Sequence, residues 1–266
     1  MKQRAISALI MIIICVPLLI LGGLYFNIGV FILAMLALKE FLDIKETKKR
    51  VPSFVKVISY AFLVMLIAIN VSSEVLTFQM DYRVISGLLL TFLVPTILYH
   101  DREKYSINDA FYLIGGLFFL ALSMILLINV RSYSLMMVIY LLLITVMTDT
   151  FAYLTGMLIG KNKLLESISP KKTWEGTIGG TVLAVFISTM FYTTTINPEI
   201  ELYKVIFAGI FLSILGQFGD LFFSAIKRYY GKKDFSNLIP GHGGILDRMD
   251  SIIFVLLGFM FFISIL

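Results

Sequence analysis

The sequence predicts an all-α, polytopic integral membrane protein of about nine spanning helices, and three observations carry that reading. First, 59% of the 266 residues are hydrophobic and 15% are charged, against ~45–50% apolar and ~25% charged in soluble domains. Second, the apolar residues fall into runs of spanning length bounded by charge, glycine or proline. A helix of ~20 residues crosses hydrocarbon because it pairs its backbone N–H and C=O groups internally. Third, the basic residues collect in alternate loops and so on one face of these runs, as the positive-inside rule expects.

The runs lie at about 5–21, 24–42, 54–71, 84–99, 109–129, 134–160, 176–195, 202–226 and 251–266. The first, with Lys2 and Arg4 before it, imitates a secretory signal. Gly22-Gly23 offers no small-x-small cleavage site and a second run follows at once, so it is read as an uncleaved span. Its Cys15 is the only cysteine, which excludes an intrachain disulfide and a cysteine metal cluster. The seventh run is rich in Thr and Gly, which suits close helix contact better than lipid exposure. With the N-terminus inside, 19 of the 22 basic residues, Arg102 among them, face the cytoplasm; Arg83, Arg131 and Lys204 do not. The C-terminus is then outside. No internal repeat appears, and the runs leave no room for a separate soluble domain, so residues 1–266 form one membrane domain. Nothing in the pattern calls for nucleic acid as a partner.

Asp149 and Asp220 fall inside apolar runs, where a carboxylate costs ~2.5–3.5 kcal/mol even on the lenient insertion scale and needs a partner or a wet cavity. Gln217, Asp220, Ser224 and Lys227 follow one helical stripe toward the cytoplasm, with Asp220 roughly 10 Å below Lys227. The stripe reads as a cavity wall, although a structural hydrogen bond between helices would also account for Asp220. Asp149 shares a face with Tyr153, Gly156 and Gly160, and structural and functional readings stay open for it. Asp247 and Asp250 are three apart at the head of the ninth run, so one helical turn aims both carboxylates the same way; they also suit a helix N-terminus. Together with Asp220 they form a candidate oxygen-ligand set for Mg²⁺, which takes a few carboxylates plus substrate phosphates.

The polar chemistry is concentrated in two segments. Residues 224–250 carry Lys227, Arg228, Lys232, Lys233 and Arg248 beside the acids, and a Pro-Gly-His-Gly-Gly turn with His242, Gly243 and Gly244. Glycine lets backbone approach a ligand closely, and His242 suits a phosphate or a base. A solvated loop would explain the lysines and not the aspartates. Residues 169–176, Ser-Pro-Lys-Lys-Thr-Trp-Glu-Gly, add Ser169, Lys171, Lys172 and the only tryptophan, Trp174. Lysine ammonium groups are point charges suited to phosphates; an interfacial Trp with flanking lysines is the plainer alternative. These parts fit a reaction between a charged soluble substrate and a lipid head group.

The 224–250 segment resembles the signature of the phosphatidate cytidylyltransferase (CDP-diacylglycerol synthase) family. The resemblance rests on Ser224, Ile226, Lys227, Arg228, Lys233 and Asp234, then on Ser236, Ile239, Pro240, His242, Gly243, Gly244, Ile245, Asp247, Arg248 and Asp250, without a departure. It covers about a tenth of the chain, and 169–176 resembles a second family stretch. The resemblance implies Mg²⁺-dependent transfer of cytidylyl from CTP to phosphatidic acid, at the cytoplasmic face of the inner membrane, in a possible homodimer among membrane lipids. Asp220, Asp247 and Asp250 are then expected to hold the metal. Lys171, Lys172, Lys227, Arg228, Lys233 and Arg248 are expected to neutralise and align phosphates, with Ser169, His242, Gly243 and Gly244 at the substrates. A secondary transporter using Asp149 and Asp220 is the alternative from another class, but the polar motifs gather at one face. A cytidylyltransferase for another anionic lipid also fits, whereas the D-G-x-x-A-R pattern of CDP-alcohol phosphotransferases is missing.

Overall fold

A computed structural model describes residues 2–71, 82–99 and 104–266; Arg102 and the side chains of Lys2 and Arg4 lie outside the described residues. Among the described residues there are nine α-helices: α1 (Lys2–Leu21), α2 (Gly23–Glu46), α3 (Ser53–Val71), α4 (Tyr82–Leu98), α5 (Ile107–Tyr133), α6 (Leu135–Ile159), α7 (Trp174–Phe191), α8 (Leu202–Tyr229) and α9 (Leu246–Phe259). Six of them, α2, α3, α5, α6, α7 with its continuation to Ile196, and α8, are long and apolar enough to cross a membrane; α1 and α4 contribute shorter apolar helices. The protein is therefore an integral membrane protein.

Two features depart from the sequence expectation. Between α6 and α7 the chain forms an antiparallel hairpin of β1 (Lys163–Leu165) and β2 (Ser169–Thr173). Its strands are too short and polar to announce themselves by alternation, and Pro170 suits an edge position where no N–H is needed. The second departure is at α9, which stops at Phe259 although the apolar run continues. Phe261 N–H and Phe262 N–H instead bond back three residues to Gly258 and Phe259 at 3.1 and 2.9 Å, the tight turns that often finish a helix.

The described chain resolves into two compact units, residues 1–132 with 234–247, and residues 133–233 with 248–266. In the first, α1 and α2 are parted by Gly22 and Gly23, with φ of 62° and 51°, a region that disfavours side chains other than glycine. Arg131, at the end of α5, donates from Nε to Leu19 O at 2.6 Å and from Nη2 to Ile20 O at 3.0 Å, taking up carbonyls the helix end leaves over. At the other end of α5, Asp109 accepts the N–H and hydroxyl of Ser106 at 2.8 Å each. It also pairs with Lys45 and, at 2.5 Å, with Lys49, which ties the start of α5 to the end of α2. A buried acid is stable there because its charge and its lone pairs are both matched.

In the second unit, small residues let helices approach. A Cβ added at Gly180 of α7 would lie 2.7 Å from Thr148 O of α6, and one at Gly219 of α8 would lie 2.5 Å from Asp250 O of α9. Such close contact is how helices associate in lipid, where apolar burial between them gains little. A polar chain stitches α6, α7 and α8: Thr148 Oγ1 meets Ser213 Oγ at 2.8 Å, and both Ser213 Oγ (3.1 Å) and Gln217 Nε2 (2.9 Å) donate to Thr181 Oγ1.

Candidate functional site

The signature segment divides between the two units. In the first, residues 234–247 form a loop folded over two carboxylates. Asp247, 5% exposed, accepts through Oδ2 from the backbone N–H of Phe235 and of Gly244, both at 2.8 Å. Glu40 of α2 is 3% exposed. It accepts the Ser236 hydroxyl at 2.6 Å, Ile245 N–H at 2.9 Å and Leu246 N–H at 2.9 Å. The last two belong to the start of α9, where a helix leaves N–H groups unpaired and a negative charge is favoured. Ile239 N–H donates to Gly243 O (2.8 Å) and His242 N–H to Ile239 O (2.9 Å), closing the turn. Ser7 Oγ reaches Pro240 O at 2.9 Å.

This loop explains its glycines. Gly243 has a φ of 83°, and a Cβ there would lie 2.7 Å from Asp247 Oδ2; a Cβ at Gly244 would collide with the Glu40 carboxylate. The close approach that the glycine pattern implies is made, within the described residues, to the chain's own carboxylates. His242 is half-buried, and its Nδ1 has no hydrogen-bond partner among the described residues.

In the second unit, α8, α9, α6 and β2 gather a group of opposite charges. Lys172 Nζ pairs with Asp220 Oδ2 at 2.6 Å, and Ser224 Oγ donates to Asp220 Oδ1 at 3.3 Å. Where Gly219 abuts the Asp250 backbone, the Asp250 carboxyl comes within electrostatic reach of Asp220, Asp149 and Lys227; Asp149 is likewise in reach of Lys172 and Arg248. Asp250 Oδ1 also accepts Ser251 N–H at 2.8 Å. Lys227 is 7% exposed and Gln217 4%, so the polar stripe of α8 is turned inward. Lys171, Arg228, Lys233 and Arg248 are exposed and Ser169 is partly so. Arg228 Nη1 is held by Lys232 O at 2.9 Å.

Among the described residues no three His, Cys, Asp or Glu side chains are grouped as a ready cation cage. Asp220 and Asp250 nevertheless suit a hard cation such as Mg²⁺, which commonly takes one or two carboxylates and completes its shell with substrate phosphates and water. Asp149 joins this electrostatic group as a third acid. Glu40 is the residue that sequence reasoning misses. Its signal is the one that singles out Asp149 and Asp220, an acid inside an apolar run, here 24–42, but Lys39 beside it and Asp43 after it make it look like ordinary cytoplasmic flank.

The chain is similar to known proteins over nearly its whole length. The chain is 35% identical over 257 residues to the phosphatidate cytidylyltransferase of Staphylococcus aureus, with 96% of each chain covered. It is 34% identical over 258 residues to that of Staphylococcus epidermidis and 32% over 256 residues to that of Staphylococcus saprophyticus, again at 96% of each chain. The model of the cytidylyltransferase family matches residues 2–266, and the chain belongs to that family.

Proposed function

We propose that this protein transfers the cytidylyl group of CTP to phosphatidic acid, giving CDP-diacylglycerol and pyrophosphate, at the cytoplasmic face of a nine-span protein of the inner membrane. The observation that carries the reading is the Lys172–Asp220–Asp250–Lys227 group. It joins Asp220 and Lys227 of α8 and Asp250 of α9 with Lys172 of β2, on and beside apolar helices where charge is expensive unless used or matched. The family and the names of its relatives supply the reaction class.

In this reaction a phosphate oxygen of the lipid attacks the α-phosphorus of CTP. A new P–O bond forms as the bond from that phosphorus to the bridging oxygen of the β-phosphate breaks, and pyrophosphate leaves with the bonding pair. No strong base is required, because the second pKa of a phosphomonoester is near 6 and the attacking oxygen is largely ionised at neutral pH. The obstacle is repulsion, about 4 kcal/mol for each pair of unit charges 4 Å apart at an effective dielectric of 20. In this reading Lys172, Lys227 and Arg248 offset it beside the acids, and Lys171, Arg228 and Lys233 guide phosphates toward them. Asp220 and Asp250 would hold Mg²⁺, which when bound supplies positive charge to the phosphates and to the leaving pyrophosphate. The two N–H donors on Asp247 favour a loop-organising role for it over the metal role expected from its position. Glu40 fixes the start of α9 and Asp247 the turn around His242, so the loop is held before substrate arrives.

The test is incubation of the purified protein with labelled CTP, Mg²⁺ and a panel of anionic lipids. Label passing into a lipid product with phosphatidic acid, and far less with the other lipids, supports the reading. Preference for another anionic lipid, or no lipid product, refutes it. Chemical crosslinking in membranes tests the homodimer that forms part of this reading.

A further inference from the structure

A groove of about 720 Å³ runs between α7 and α8, beneath the β1–β2 hairpin. Its walls are apolar, with Val182 and Val185 on α7 facing Ile206, Ile210 and Ile214 on α8. From Ile206 to Leu221 the α8 wall is ~22 Å long at ~1.5 Å per residue, more than the ~15 Å of one leaflet's hydrocarbon. Its volume falls within the ~300–1,000 Å³ of ligand clefts.

One end is apolar and the other meets the charged group. Leu221 and Gln217, both in the lining, bracket Asp220 on α8, and Trp174, also in the lining, follows Lys172 by two residues. Lys171 is exposed on the same strand, and Lys163 is exposed on its partner strand. A cationic mouth over a long apolar slot is complementary to an anionic head group joined to a hydrocarbon chain. We infer that this groove takes one acyl chain of the phosphatidic acid substrate, with the lipid phosphate at the Lys171–Lys172 end, and so makes turnover depend on chain length. The inference rests on the proposed reaction and adds a specificity determinant to it.

Transfer of a chain from bilayer to groove gains little apolar burial, because lipid tails and groove walls are alike. Selectivity must then come from fit, and overfilling the groove is the direct probe. Val182→Trp and Ile210→Trp each place a large ring in it from opposite walls. With purified enzyme in mixed micelles, the ratio of kcat/KM for dioleoyl to dihexanoyl phosphatidic acid is expected to fall about tenfold or more in each variant. An unchanged ratio overturns the inference while leaving the reaction intact.

A second measurement needs no variant. Phosphatidic acid with a mid-chain diazirine is expected to label α7 and α8 peptides around Val182 and Ile210. Excess unlabelled phosphatidic acid should suppress that labelling, and phosphatidylcholine should not. Equal suppression by both lipids would show an ordinary lipid-facing surface and overturn the inference. Loss of the reaction itself would appear separately, as wild-type protein that forms no CDP-lipid from either chain length.

Discussion

Glu40→Ala should disable the enzyme from a residue outside the signature segment. The carboxylate accepts one hydroxyl and two backbone N–H groups at 2.6 to 2.9 Å, within a site that is 3% exposed. Removing it leaves three donors without an acceptor, at ~1–3 kcal/mol each. Partial relaxation and water at the less buried Ser236 and Ile245 reduce the sum, so about 3–6 kcal/mol is expected against the ordered loop. If turnover requires that order, 3 kcal/mol alone corresponds to roughly a hundredfold loss. Glu40→Gln keeps the shape and one carbonyl acceptor, and should lose about tenfold. Two readouts are needed: CDP-diacylglycerol formation, and hydrogen exchange of residues 236–246 by mass spectrometry. Both variants should exchange faster there while α6 to α8 stay protected. Wild-type turnover with unchanged exchange in Glu40→Ala would refute the reasoning.

The same geometry bears on Lys172, Gly243 and the metal. Lys172→Met removes the ion-pair partner of Asp220 and the charge proposed to neutralise phosphate; kcat/KM for CTP should fall at least about tenfold in steady-state kinetics. Gly243→Ala puts a side chain at a φ of 83° and 2.7 Å from Asp247 Oδ2. With ~1–2 kcal/mol of backbone strain plus the clash, it should cost about tenfold or more in turnover without changing membrane insertion. Chelation with EDTA should abolish turnover, and added Mg²⁺ should restore it, whereas Asp250→Asn should require more Mg²⁺ for half-maximal rate.

The helices were legible because hydrocarbon forces every backbone group to pair within its own segment, so spans announce themselves as apolar runs. Each run overlaps a helix among the described residues, six of those helices being long and apolar enough to cross a membrane, and the glycines of the seventh run pack against α6. The stripe of Gln217, Asp220, Ser224 and Lys227 was legible for the same reason, since helical spacing alone puts them on one face. What spacing cannot reveal is partnership over distance. Lys172 and Asp220 are each conspicuous in the sequence, but their pairing depends on the hairpin returning the chain to α8, and a five-residue strand containing proline gives no periodic signal. Glu40 reaches donors about 200 positions later, and only the folded chain links them. The glycines of the 241–244 turn suggest room for a ligand, and the fold fills that room beside Gly243 and Gly244 with the carboxylates of Asp247 and Glu40.

The acids of α8 and α9 are expected to support transfer of the cytidylyl phosphorus itself. The most direct measurement follows CTP labelled separately at the α- and γ-phosphates, with phosphatidic acid and Mg²⁺, in wild-type protein and in Asp220→Asn and Asp250→Asn. In the wild type α-label should enter lipid and γ-label should leave as pyrophosphate, with both falling at least about a hundredfold in each variant that still inserts and folds. Wild-type transfer in either variant, or γ-label entering the lipid, would contradict it.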